Sequence, residues 1–247
     1  MRAAAAPRPV LVTRPAGRGA TLLDLLRAAG IEAEHHPLLE LVPAADEELA
    51  AARALLTGGG CTHLVVTSRT VAELLAPVEV APEIAVVAVG EGTAEALRAI
   101  GIRPDLVAAG SGADLVAQMP AAPAGASVLF PASSAAARTV PEGLRAKGYA
   151  VREVTAYRPA PLDPPPEVRA GLAAGGYGAL VLTSSMIARR AAALGVHPGI
   201  PIVSIGRPTS RAADAAGLSV AQQAAETTDA ALVAAVQEVL ARDPAGR

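Results

Sequence analysis

Leu64–Val65–Val66–Thr67–Ser68 returns 116 residues later as Leu180–Val181–Leu182–Thr183–Ser184. The same 116-residue offset carries Val89–Gly90–Glu91–Gly92–Thr93 onto Ile205–Gly206–Arg207–Pro208–Thr209. A short run of Val and Leu that ends on hydroxyls reads as a strand buried on both faces, running into a loop. A second echo accompanies the first. Val10–Leu11–Val12 closes with Gly30–Ile31–Glu32–Ala33, and Val128–Leu129–Phe130 closes with Gly148–Tyr149–Ala150–Val151. Repeats this long are domains, because solenoid periods are roughly 20–50 residues. Two similar units facing each other would make a cleft with matching walls.

Working outward, the candidate strands are Val10–Thr13, His63–Thr67, Ala85–Val89, Ser127–Phe130, Ala179–Thr183 and Ile202–Ile205. Amphipathic helices are expected over Thr21–Ala29, Val71–Leu75, Thr93–Ile100, Asp114–Gln118, Val140–Lys147, Ile187–Leu194, Thr209–Ala216 and Asp229–Ala241. Many stop at glycine, the usual C-terminal signal. Ser111 with Asp114 has the spacing of a capping box. Such alternation predicts α/β architecture, with parallel sheets covered by helices on both faces.

Two segments break the rhythm. Ile31–Val42 and Val151–Pro161 are extended-looking, half polar, and too long for ordinary connections of about 4–6 residues. They read as two strands crossing between domains. The first domain would be discontinuous, 1–31 plus 162–247; the second would be 43–150; and 32–42 and 151–161 would cross. The alternative is two consecutive domains with a linker near 120–126.

At 247 residues the chain suits two domains. Hydrophobic residues make up 52% of it, yet no uninterrupted apolar run approaches the ~18 residues of a membrane span. Met1–Pro9 lacks the apolar core of a signal peptide, so a soluble cytoplasmic protein is expected. Cys61 is the single cysteine, which leaves no intrachain disulfide and no cysteine metal cluster. Net charge is −2 and aromatic residues are 2%, a poor match to a basic nucleic-acid-binding surface or a base-stacking platform. Lys147 is the only lysine, so anions must be met by local arginines and backbone amides.

In an open parallel sheet, ligands sit beyond the carboxyl ends of the strands. The loops there are Thr13–Arg18, Thr67–Thr70, Gly90–Thr93, Pro131–Ser134, Thr183–Ser185 and Gly206–Thr209. They share hydroxyls, glycine and a few arginines, and each opens a helix whose free N–H groups suit carboxylate or phosphate. Thr93 and Thr209 also read as plain helix caps. The dinucleotide fingerprint fails after Gly90-x-Gly92, no phosphate-loop lysine is present, and His35, His36, His63 and His197 lack metal-ligand spacing. No metal or cofactor is expected. Tyr157, followed by Arg158 on the second crossing strand, reads either as a packed linker tyrosine or as a proton donor to a leaving hydroxyl.

Together, Val10–Leu11–Val12–Thr13–Arg14–Pro15, Thr67–Ser68, Val87–Ala88–Val89–Gly90 with Thr93–Ala94, Tyr157–Arg158, Leu182–Thr183–Ser184 and Ile205–Gly206 with Thr209 resemble the uroporphyrinogen-III synthase family. The resemblance covers nearly the whole chain and rests on the order and spacing of these pieces. It implies two similar flavodoxin-like or Rossmann-like parallel-sheet domains joined by a two-stranded β-ladder, with the active site in the cleft between them. It implies a cofactor-independent lyase of tetrapyrrole biosynthesis. The substrate would be hydroxymethylbilane, a linear tetrapyrrole with eight carboxylates. Its terminal hydroxyl leaves as water, and the azafulvene so formed is attacked by the substituted carbon of ring D. The spiro intermediate then fragments and recloses with ring D inverted.

By the same resemblance, Tyr157 is the proton donor. Thr93 and Thr209 at the helix starts and Ser68 and Ser184 in the loops would bind carboxylates, and Arg14, Thr67, Gly90, Arg138, Arg158 and Gly206 are read from their positions as candidates for the same task. The preceding bilane-forming enzyme is a further partner to consider, and a monomer free of nucleic acid and membrane is expected. Departures occur at Pro131–Ala132, where relatives carry Arg-Gly and where Arg138 stands in for the charge. Others occur at Thr70 and Met186. Competing readings are a non-enzymatic tetrapyrrole- or anion-binding sensor on the same fold and a periplasmic-type solute binder. The residues 242–247 offer no winged-helix output for the first, and the start of the chain offers no leader for the second.

Overall fold

The computed structural model describes residues 8–242. The stretch 1–7, read above as lacking a leader, and the tail 243–247 lie outside the described residues. The first part of the chain runs β1 (Val10–Val12), α1 (Ala20–Ala28), β2 (Ala33–His35), β3 (Leu39–Pro43), α2 (Asp46–Thr57), β4 (His63–Val66), α3 (Arg69–Leu75), β5 (Ala85–Val89), α4 (Glu91–Ala99), β6 (Leu106–Ala108) and α5 (Gly112–Gln118). It continues with β7 (Ser127–Ser133), α6 (Thr139–Ala146), β8 (Ala150–Pro161), α7 (Pro166–Ala174), β9 (Ala179–Leu182), α8 (Ser185–Leu194), β10 (Ile202–Ser204), α9 (Arg207–Ala215), β11 (Val220–Gln223) and α10 (Asp229–Arg242).

Two sheets result, of order β11-β10-β9-β1-β2 and β3-β8-β7-β4-β5-β6. Read from β2, the first has the doubly wound order 2-1-3-4-5; read from β8, the second repeats that spatial arrangement in a circularly permuted chain order, 5-4-1-2-3, with β3 added at its edge. Pairing within the doubly wound part of each sheet is parallel. One compact unit takes the chain up to Leu41 and again from Ala160 onward; the other is Val42–Pro159.

The repeats of the sequence are not these units. β1–α1–β2 of the first repeat shares a unit with β9, β10 and β11 of the second. β4, β5 and β6 share the other unit with β7–α6–β8. Each unit is one portion of each repeat.

Alternation along the buried strands explains the two-sided packing. In the Val42–Pro159 unit, Leu64, Val66, Val86 and Ala88 pack with Leu56, Val71 and Leu97, whereas Val65 and Val87 pack with Leu115, Val140 and Leu144. In the other unit, Leu11, Leu180 and Leu182 pack with Leu172, Ile187 and Ala191, whereas Val10, Val12 and Val181 pack with Leu22, Leu26, Leu232 and Val236. Burying each such Val or Leu side chain is worth about 1.5–3 kcal/mol before chain entropy is counted.

The segment 31–42 is not one crossing strand. His36–Pro37 interrupts it; proline offers no amide to the ladder. β2 therefore belongs to the five-stranded sheet and only β3 to the six-stranded one. Leu162 N donates to Leu38 O at 2.9 Å and Ala44 N donates to Ala156 O at 2.9 Å, so β3 and β8 run antiparallel. The sequence reading also passed over α2, α7, β6 and β11. Ser111 caps α5 by accepting from Asp114 N at 3.3 Å, but its own hydroxyl takes the Asp114 carboxylate at 2.6 Å, so the reciprocal bond of a capping box is not formed. Among the described residues no helix is long and apolar enough to cross a membrane.

Candidate active site

In the Val42–Pro159 unit, the carboxyl end of β4 runs through half-buried Thr67 into Ser68, which caps α3: its Oγ accepts from Thr70 N at 3.2 Å. The same oxygen lies 3.3 Å from the Tyr157 phenol oxygen. A β-bulge positions that phenol. Ala132 pairs with Thr155, but Ser133 pairs with Tyr157, so Ala156 is an extra residue in β8. Ser134 N donates to Tyr157 O at 2.9 Å and fixes the strand after the bulge. The Tyr157 side chain packs on the unit's core while its hydroxyl reaches Ser68.

After β5, Gly90 stands before α4 with φ 76°. Thr93 is therefore the third residue of the helix and not its cap. It is 7% exposed, and its hydroxyl has no partner among the described residues. A Cβ on Gly92 would come within 3.0 Å of the Arg69 guanidinium, so Arg69 lies over this loop. The sequence reading placed Arg69 in the loop but did not single it out; its position at the first turn of α3 was the available signal. Glu91, the acidic residue of this helix start, is paired with Arg98. Arg158 is exposed, with no ion pair among the described residues.

Arg138 lies elsewhere on the same unit, in the loop between β7 and α6. Its Nη1 donates to Glu153 Oε2 at 2.5 Å and its Nη2 to Oε1 at 3.1 Å; Arg145 donates to the same carboxylate at 2.7 Å. These bonds, Arg138's first, hold the Glu153 carboxyl below the usual carboxylate range. A cavity of about 240 Å³ opens here, lined by Ser133, Ser134, Arg138, Glu153 and Thr155.

The other unit presents the matching loops. Buried Thr13 donates its hydroxyl to Val181 O at 2.8 Å, tying β1 to β9. Arg14 forks onto Asp229 at the start of α10, with Nη1 to Oδ2 at 3.0 Å and a second bond from Nη2 to Oδ1. The guanidinium expected to receive a ligand carboxylate is thus engaged by an internal one. Ser184 caps α8 by accepting from Ile187 N at 3.2 Å, and Ser185 donates to Pro208 O at 2.9 Å, linking the loops after β9 and β10. Gly206 stands before α9, and Thr209 is again the third helical residue, 3% exposed, its hydroxyl unpartnered among the described residues. The cap reading of both threonines is corrected; the glycines hold that position.

The first turns of α3, α8 and α9 carry no acidic side chain. A carboxylate there is the ordinary complement of a helix N-terminus, and leaving it out keeps the amide groups open to a ligand's charge. The histidines find local roles: His35 Nε2 donates to Arg14 O at 2.9 Å, and His197 Nδ1 accepts from Gly199 N at 3.0 Å. His63 meets the Thr62 hydroxyl at 2.8 Å, and burial pushes its imidazole down. No group of three or more metal-capable side chains occurs among the described residues.

The chain is similar in fold to solved structures along most of its length. A mutant uroporphyrinogen III synthase from the extremely thermophilic bacterium Thermus thermophilus superposes with a TM-score of 0.66 at 16% identity, over 95% of this chain and 99% of that one. Uroporphyrinogen-III synthetase from Helicobacter pylori gives 0.64 at 16% identity, over 94% and 99%. No curated protein matches the sequence. The model of the family uroporphyrinogen-III synthase HemD matches residues 20–234. That match spans both repeats and nearly every loop described above, and the chain belongs to the uroporphyrinogen-III synthase family.

Proposed function

We propose that this protein closes hydroxymethylbilane to uroporphyrinogen III, and that Tyr157 is the acid that releases the terminal hydroxyl. The observation that carries the assignment is the Tyr157 phenol, held 3.3 Å from Ser68 at the carboxyl end of β4, beside a helix start free of acidic side chains. In this reading the phenol proton passes to the substrate hydroxyl. The C–O bond breaks, its electron pair leaving with water, and an azafulvene cation remains. Attack by the substituted carbon of ring D gives the spiro intermediate, which fragments and recloses with that ring inverted.

The remaining task is conformational. A floppy polyanion has to be held folded, and positioning of this kind can supply a large part of a rate enhancement. Thr93, Thr209, Thr67, Ser184, Arg158 and the amides after Gly90 and Gly206 would take carboxylates. Arg69 joins them. Arg14 and Arg138 would have to exchange Asp229 and Glu153 for a substrate carboxylate, which makes them weaker candidates than their charge suggests. The reading also puts the protein in the cytoplasm as a monomer, with the bilane-forming enzyme before it as a candidate partner. Sedimentation of the protein alone and with that enzyme tests the oligomeric state and the partnership.

The decisive assay supplies freshly made hydroxymethylbilane without added cofactor and resolves the product isomers. Type III product is expected; type I alone at the uncatalysed rate rejects the proposal. Tyr157→Phe should lower kcat by roughly 100-fold or more, the scale of a lost general acid. Tight binding without turnover would favour the sensor instead.

A further inference from the structure

Ser68 serves two partners through one oxygen. A hydroxyl has one proton and two lone pairs. One lone pair of Ser68 Oγ takes the Thr70 amide at 3.2 Å, which leaves its proton and one lone pair, so the pair can be closed by a proton from either hydroxyl. A hydroxyl that accepts a hydrogen bond is also polarised into a better donor. The phenol is equally constrained. Side chains two apart on a regular strand share a face, so Tyr157 would follow Thr155; the extra residue Ala156 shifts that alternation by one. The bulge is locked, since the Ala156 carbonyl accepts from Ala44 N and Ala156 is fully buried.

We propose that Ser68 is a positioning residue for Tyr157: its Oγ–H donates to the phenol oxygen, so that the phenol's own proton points away from Ser68 toward the departing hydroxyl. This rests on Tyr157 being the acid. When Tyr157 gives up its proton, the phenolate keeps the hydrogen bond from Ser68. It regains a proton when the reclosing pyrrole sheds its carbon-bound hydrogen, so the cycle balances with water as the only other product. The 3.3 Å separation is long for two neutral hydroxyls, whereas a hydroxyl donating to an oxyanion closes to about 2.5–2.7 Å. The bond therefore strengthens as charge develops on the phenol, which is the condition for lowering a barrier.

Glycine caps a helix nearly as well as serine but carries no hydroxyl, so Ser68→Gly separates the two tasks. It should lower kcat roughly 10- to 100-fold, the effect of a hydrogen bond to a charged group, with KM within about twofold and the thermal transition nearly unmoved. Ser68→Thr, which keeps the hydroxyl, should recover most of the loss. In the Tyr157→Phe background, Ser68→Gly should cost nothing further. Full kcat in Ser68→Gly overturns the proposal. So does an equal loss in the tyrosine and phenylalanine backgrounds, which would mean that Ser68 acts on substrate directly. Undiminished turnover in Tyr157→Phe alone is a different result: it removes the acid itself, and the role of Ser68 with it.

Discussion

Gly90 and Gly206 occupy matching places in the repeat, yet they are glycine for different reasons. Gly90 has φ 76° and ψ 149°, a region almost closed to other residues, and a Cβ there would meet nothing within 4 Å. The cost of alanine at Gly90 is therefore backbone strain, about 1–3 kcal/mol. Gly206 has φ 169° and ψ 174°, extended backbone that any residue adopts. A Cβ there would approach the Thr227 methyl at 3.3 Å, and Thr227 is exposed and able to turn aside. Two further effects are common to both substitutions. Alanine is a poorer helix cap than glycine, and it narrows the unfolded ensemble. These cancel in the comparison, so Gly90→Ala should be less stable than Gly206→Ala by about 1–3 kcal/mol, less a few tenths for the Thr227 contact. Urea unfolding followed by circular dichroism measures this, each unit's transition fitted separately if two appear. In a thermal scan the gap is on the order of 5 °C. If Gly206→Ala costs as much as Gly90→Ala, the backbone argument is wrong and both glycines are needed for close packing.

Three other outcomes follow from particular side chains. Arg138 and then Arg145 depress the Glu153 carboxyl, so its folded form prefers to be ionised. The stability this contributes is present above the ordinary carboxylate range and is lost as pH falls through the depressed folded value. Glu153→Gln should flatten that acid limb, by no more than about 1 kcal/mol because the pair is solvent-exposed, and 1 M salt should shrink the difference; an unchanged limb refutes it. Burial pushes the Cys61 thiol up. A thiol-specific chromogenic reagent should therefore label native protein slowly at neutral pH and unfolded protein fast; rapid native labelling would show the thiol open. Thr93→Val and Thr209→Val remove hydroxyls that have no protein partner among the described residues. Stability should hold within about 0.5 kcal/mol in each case, while KM or kcat worsens if the hydroxyls meet substrate; intact kinetics in both variants would remove them from the site.

What the sequence made legible is what burial writes into composition. The central strands are near-continuous Val, Leu and Ile, and six of them could be read directly. β6 and β11 are short edge strands, half exposed, and leave no such run. α2 buries Leu49, Ala52 and Leu56 on one face, but alanine elsewhere in the helix blurs its periodicity. In α7 the run of prolines that hides the helix includes Pro166, the first helical residue, where a missing N–H costs nothing. The site divides along the same line. Hydroxyls and glycines that follow strands could be found from the repeat. The Ser68–Tyr157 contact spans 89 residues and depends on a bulge that no periodicity announces. Arg14 and Arg138 read as free cations, because nothing local names Asp229, 215 residues away from the first, or Glu153 as their partners.

The exchange of portions between the repeats was legible only through the two half-polar segments, and strand pairing shows what carries it. A repeat closing on itself would set β1 beside β4 and β7 beside β9. Instead Val10–Val12 pairs with Ala179–Val181 on one side and Ala33–His35 on the other, and it is fully buried. β4 meanwhile pairs with β7. Because the two copies are alike, either partner would offer similar hydrophobic surface, so apolar pattern cannot choose between the closures. The connections can. β3 and β8 find backbone partners in each other, with Leu38–Leu162 and Ala44–Ala156 hydrogen bonds at the two ends. A self-closed repeat would have no use for so long an extended connection. The half-polar segments that looked out of rhythm in the sequence are what the exchange requires, and β8 places Tyr157 on the unit that also carries Ser68.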